Sequence, residues 1–154
     1  MLKSLLLALL FCFGCSMTQQ QFEGSHWNSE LNGPIPVYTV THLGVCQSKD
    51  LPTSGVFYSL TSLRYDQPIG DPAMKLRRLY VLGLDVDSAF YRSPDGGCVP
   101  PESEAISGVI SPGFFIIHLD KPNSLADKYS FSKIEGPLHL PCPYFVSIYT
   151  KSSQ

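Results

Sequence analysis

Two carboxylates separated by one residue have the residue types and the spacing of a chemical site. Asp85 and Asp87 flank Val86 at the end of a segment, Leu79 to Val86, whose alternating pattern predicts a strand. Side chains two residues apart on a strand point to one face, about 7 Å from each other. Such a pair could hold a divalent cation or carry out acid–base chemistry. Because the sequence indicates no further ligand nearby, we interpret both as solvated carboxylates at a strand end.

No motif for a nucleophile, a phosphate or a metal accompanies this pair. The four histidines show none of the two- or four-residue spacings that let histidines share a metal, and the chain has no G-x-S-x-G elbow. We therefore predict no catalytic residue, no metal and no cofactor. The open enzymatic alternative is a small metal- or carboxylate-dependent hydrolase or transferase that uses Asp85, Asp87, Glu102, Glu104 and a histidine.

One basic cluster and one tryptophan are the candidate partner contacts. Lys75, Arg77 and Arg78 could bind an anionic lipid or a protein, although positive charge that protects a sheet edge explains them as well. Trp27, the single tryptophan, either covers the core or contacts a partner. The net charge of −2 and the lack of a basic stripe argue against nucleic acid as a partner.

The first residues have the pattern of an export signal. Lys3 precedes an apolar run, Leu5 to Phe13, that ends at the small residues Gly14-Cys15-Ser16. This run is too short to cross a bilayer. We therefore expect the protein to be exported.

The end of that signal leaves two modes of processing open. Gly14 directly before Cys15, at the end of a short apolar segment, resembles the signal of bacterial lipoproteins. The resemblance implies that Cys15 becomes the lipid-bearing first residue of the mature chain, which a lipid anchor would hold at a membrane. The alternative is ordinary cleavage after Gly14 or Ser16 and free secretion.

Export places the cysteines of the body in an oxidising compartment, where a disulfide is favoured. We predict a bond between Cys98 and Cys142, because both are flanked by loop-forming glycines or prolines. The pairs Cys46–Cys142 and Cys46–Cys98 remain open. No C-x-x-C pair is present, which argues against a zinc or redox site.

Short segments rich in β-branched and aromatic residues, separated by Gly and Pro turns, must position all these side chains. The segment 114–119 is apolar on both faces and predicts a central strand, and 124–127 predicts one helical turn. No segment shows ten residues of helical periodicity. The pattern predicts an all-β, single-domain antiparallel sandwich or small barrel of about seven short strands. The predicted organisation is a signal at 1–15, a polar tether at 16–34 and the all-β domain at 35–151.

These observations favour an exported, lipid-anchored envelope protein that acts as a non-catalytic binding module. Its expected partner is a protein or an envelope component, contacted through loops on a β scaffold. A secreted, immunoglobulin-like host-interaction protein of a virus or a eukaryote is the first alternative. The second alternative is the hydrolase or transferase described above.

Overall fold

The computed structural model describes residues 34–60, 69–94, 102 and 113–152. The predicted signal and the tether up to residue 33 lie outside these residues, as do residues 103–112. The strands of the described part are β1 Tyr38–Val45, β2 Val56–Leu60, β3 Ser88–Arg92, β4 Phe114–Leu119, β5 Phe131–Lys133 and β6 Tyr144–Lys151. The helices of the described part are α1 Pro72–Val81 and α2 Leu125–Lys128, with a short 3-10 turn at Ser48–Asp50.

The strands form one antiparallel sheet in the order β1-β6-β3-β4-β2-β5. The predicted all-β, antiparallel, single-domain fold is confirmed. The described residues contain six strands in one open sheet, whereas the sequence predicts about seven in a sandwich or small barrel. Helices cover one face of this sheet, and turns and extended chain cover the other.

Strand β4 lies in the middle of the sheet and is buried on both faces, as its apolar sequence predicts. All six of its residues are buried. Phe115 and Ile117 pack in the core on the helix side, and Phe114 and Ile116 pack in the core on the opposite side. β4 is therefore the element on which both halves of the hydrophobic core depend.

Helix α1 corrects the sequence prediction, which gave a strand over Leu79 to Val86 and no helix of this length. Its start is fixed by Asp71, whose Oδ1 accepts a hydrogen bond from the N–H of Ala73 at 3.0 Å. Pro72 occupies the first helical turn, where its missing N–H costs nothing. The helix has ten residues and ends at Val81, and Gly83 with a φ of 93° turns the chain towards β3.

The apolar stripe of α1 explains why the helix forms there. Leu76, Leu79 and Tyr80 recur at the three- and four-residue spacing of one helix face, and all three are buried. Leu76 and Leu79 belong to the same core cluster as Phe115 and Ile117 of β4. Burial against the sheet therefore stabilises a segment whose alternating sequence also fits a strand.

The opposite face of the sheet packs against chain without regular structure. Phe90, Ile116 and Val146 form its centre, and Leu138 and Leu140 from the segment before β6 pack onto them.

The predicted helical turn near 124–127 is confirmed as α2. The side-chain cap of α2 comes from Asn123, whose Oδ1 accepts from the N–H of Leu125 at 2.9 Å.

Candidate functional site

The two carboxylates of the predicted acidic pair have separate structural roles. Asp85 and Asp87 lie in the segment without regular secondary structure between α1 and β3, and not on one face of a strand. Lys151 Nζ lies 2.6 and 2.7 Å from the two carboxylate oxygens of Asp85. Asp87 Oδ2 accepts a hydrogen bond at 2.7 Å from the backbone N–H of Asp120. Both carboxylates are thus engaged in holding the ends of β3, β4 and β6 together.

Tyr38 lies beside these two carboxylates and was missed at the sequence level. Its hydroxyl donates to the carbonyl oxygen of Val86 at 2.8 Å. Burial, followed by the negative charges of Asp85 and Asp87, raises the pKa of Tyr38. Within the described part of the chain, no three or more His, Cys, Asp or Glu side chains come together as a metal site would require.

The basic cluster is divided by the helix on which it lies. Residues advance by about 100° each around a helix, so positions three apart share a face and adjacent positions do not. Lys75 and Arg78 line a groove along α1, and Arg77 lies outside its lining. The sequence alone grouped the three residues, and only the helix separates them.

The groove has a volume of about 540 Å³, in the range of sites that hold small organic ligands. The segment 69–71, the exposed face of α1 and the chain that follows α2 form its walls. Its apolar lining includes Met74, Leu79 and Leu82. Met74 and Leu82 are two of the exposed large hydrophobic residues of the described chain. The groove therefore offers apolar surface beside two cationic side chains.

Lys75 and Arg78 have no carboxylate partner among the described residues. The ion pairs in that part of the chain join Lys133 to Glu135 and Lys151 to Asp85. Partial burial, with a smaller contribution from the charge of Arg78, lowers the pKa of Lys75. An anion placed between the two cations would favour the protonated form of Lys75 and so oppose both effects.

A hydrogen bond joins the groove wall opposite α1 to the C-terminal end of α1. Tyr129, which follows α2, donates a hydrogen bond from its hydroxyl to the carbonyl oxygen of Leu82 at 3.1 Å. This bond satisfies a carbonyl at the C-terminus of α1, where no intrahelical donor is available. It also fixes the width of the groove between Leu82 and Tyr129, both of which line it.

The cysteines of the described residues differ in state. Cys46 is a free, buried thiol whose backbone N–H donates to the carbonyl oxygen of Pro143 at 2.8 Å. Cys142 is buried and disulfide-bonded. The alternative pairs that use Cys46 are therefore not formed in this structure. Because Cys98 lies outside the described residues, the bond Cys98–Cys142 stays a prediction.

The sheet also contains two neighbouring buried polar side chains, which the sequence alone does not bring together. Ser88 of β3 and His118 of β4 are register partners, and both are buried. His118 Nε2 lies 2.6 Å from the carbonyl oxygen of Ser54. Neither Ser88 Oγ nor His118 Nδ1 has a hydrogen-bond partner within the described residues. The histidine ring also explains why residue 55 is glycine, because a Cβ at this position would clash with His118 Nε2.

The remaining predicted site residues, Cys15, Trp27 and Glu104, lie outside the described residues, and Glu102 is exposed. No helix in the described ranges is both long enough and apolar enough to cross a membrane. Comparison with family models, with curated proteins and with solved structures gives no match to this chain.

Proposed function

We propose that this protein is an exported binding module whose α1 groove holds a ligand that joins an anionic group to an apolar part. The observation that carries this proposal is the position of Lys75 and Arg78 beside the apolar groove surface, with no carboxylate partner among the described residues. Charge-assisted hydrogen bonds to these side chains would fix the anionic group. Burial of the apolar part against Met74 and Leu82 would supply the rest of the affinity.

The side chains that line the groove favour binding over chemistry. Asp71 is the carboxylate among them, and its Oδ1 caps the N-terminus of α1. The acidic pair that a carboxylate-dependent hydrolase would need is engaged elsewhere, with Asp85 held by Lys151. These contacts support the non-catalytic function over the hydrolase alternative.

Export and anchoring in this proposal rest on the sequence of the first sixteen residues. A lipid on Cys15 would hold the domain at an envelope membrane and bring anionic amphiphiles within reach of the groove. Intact-mass analysis of protein from its native membrane or medium tests this step. An acylated N-terminal cysteine supports the anchor, whereas an unmodified start at Cys15 or Met17 indicates free secretion.

Binding of 8-anilinonaphthalene-1-sulfonate, an anionic aromatic fluorophore, tests the groove. We expect saturable binding that Lys75→Gln and Arg78→Gln each weaken by about tenfold, which corresponds to one charge-assisted contact. Arg77→Gln is the matched control, because it removes the same charge from the same helix outside the groove lining. Equal affinity in all four proteins would refute the assignment of the groove.

A further inference from the structure

Among the described strands, β1 forms a long edge of the sheet without charged side chains. β1 pairs with β6, and no other described strand lies beside it. Its eight residues, YTVTHLGV, contain no Lys, Arg, Asp or Glu. Natural edge strands are usually shortened or charged, because an open edge is a template for pairing with another strand. The opposite edge, β5, follows that rule with three residues and Lys133.

The backbone of β1 presents hydrogen-bonding groups outwards. The carbonyl oxygen of Val37 accepts a hydrogen bond from the N–H of Ser152 at 2.9 Å. The backbone N–H and C=O groups of Val37 therefore point towards β6. Because successive residues of an antiparallel strand alternate in direction, those of Tyr38, Val40 and His42 point away from β6. A further strand could satisfy these groups by continuing the sheet.

Exposed apolar side chains lie along the same edge. Val37, Val40 and Val45 are 55%, 45% and 41% exposed, and Phe145 of the adjoining strand β6 is 56% exposed. They are four of the six exposed large hydrophobics of the described residues. Because side chains alternate between the two faces of a strand, Val37 and Val45 share one face of the sheet and Val40 lies on the other.

We infer that β1 is a dimerisation edge, on which β1 of a second copy pairs antiparallel about a two-fold axis at Thr41. Val37 and Val45 lie four residues either side of Thr41, so the axis places Val37 opposite Val45 of the second copy. The same register places Val40, whose backbone N–H and C=O groups point away from β6, opposite His42 of the second copy. An isologous contact requires a surface that complements itself, and the valine spacing and the lack of charge meet that condition.

The inference is independent of the α1 groove, which lies on other elements. It also predicts that association stops at the dimer. β5 is too short, and Lys133 with its ion-pair partner Glu135 is too polar, to continue the sheet on the other side.

Sedimentation equilibrium of the purified full chain tests the dimer. We expect a concentration-dependent monomer–dimer equilibrium that Thr41→Lys or Thr41→Asp weakens at least tenfold, because like charges then face each other across the axis. Mixing the two variants restores the dimer, since opposite charges then meet. Ser132→Lys, an exposed position on the other edge strand, is the matched control and leaves the dimer intact.

A cysteine cross-link checks the register. Residues at position 41 form a close, non-hydrogen-bonded pair across the axis, with Cα atoms about 4.5 Å apart, within disulfide range. Thr41→Cys therefore gives a covalent dimer under oxidising conditions, whereas Thr53→Cys, in an exposed turn, does not. A wild-type monomer at all concentrations, or a dimer that Thr41→Lys leaves unchanged, would overturn the inference.

Discussion

Tyr38 shows how single residues determine the pH range in which this fold is stable. Its hydroxyl is buried between the end of the sheet and two carboxylates, and it donates to the carbonyl of Val86. Ionisation would place a third negative charge beside Asp85 and Asp87 and would break that bond. The folded protein therefore resists ionisation of Tyr38 more strongly than the unfolded chain does.

We predict that the free energy of unfolding falls as the pH rises above 10.0, the ordinary pKa of tyrosine. The pKa of Tyr38 is raised in the folded state, so its contribution is complete below that pH and is lost between the unfolded and folded pKa values. One such group gives a slope of up to about 1.4 kcal/mol per pH unit.

Urea denaturation across this pH range measures the slope. Tyr38→Phe is the control, because it keeps the ring and removes the ionisable hydroxyl. The slope should be smaller in Tyr38→Phe, although not zero, since burial also raises the pKa of Tyr149. Equal slopes in the two proteins would contradict this account of Tyr38.

At the scale of elements, β4 and α1 show what the sequence can and cannot predict. A run of apolar residues, interrupted by His118, fits a central strand that is buried on both faces, and the structure confirms it for β4. The segment that contains α1 carries two patterns at once. Tyr80, Leu82, Leu84 and Val86 alternate as a strand would, whereas Leu76, Leu79 and Tyr80 have helical spacing.

The resolution of that ambiguity depends on tertiary contacts. Asp71 and Pro72 are a helix-start signal, but their stabilisation is only about 1 kcal/mol. Burial of Leu76 and Leu79 against β4 decides in favour of the helix, and the sequence does not show which strand will lie opposite. For the same reason the sequence groups Lys75, Arg77 and Arg78 but cannot indicate which two line the groove.

Leu76→Ala tests the packing of α1. The side chain is fully buried, so its truncation should lower the free energy of unfolding by about 2–5 kcal/mol. Arg77→Ala, at the next and exposed position, should change it by less than about 0.5 kcal/mol. Urea denaturation measures both, and a loss for Leu76→Ala no larger than that for Arg77→Ala would show that α1 does not pack on the sheet.

At the scale of the whole molecule, the cysteines provide a test of the predicted disulfide. We predict that peptide mapping of the oxidised protein finds Cys98 joined to Cys142 and Cys46 free. Burial, with a smaller contribution from Asp50, raises the pKa of Cys46, which disfavours the reactive thiolate. Iodoacetamide should therefore label Cys46 only after denaturation. Rapid labelling of the folded protein, or a mapped bond to Cys46, would contradict this assignment.

The large exposed apolar residues mark two separate surfaces of the molecule. Within the described chain, the six large ones divide between two surfaces: Met74 and Leu82 at the groove, and the other four at or beside β1. The groove and the edge lie on different elements, so a dimer through β1 would leave two grooves accessible. The sequence predicts neither surface, because the groove requires α1 and the edge requires the strand order.

Two short amphiphiles of opposite charge, bound to the wild-type protein, test whether the α1 groove selects anions. Isothermal titration calorimetry with octyl phosphate and with octyltrimethylammonium, both below their micelle concentrations, separates the contribution of charge from that of the shared apolar chain. Octyl phosphate should bind at least tenfold more tightly, and its affinity should fall at alkaline pH as Lys75 loses its proton. Equal affinity for the two amphiphiles would contradict the claim that Lys75 and Arg78 make this groove an anion site.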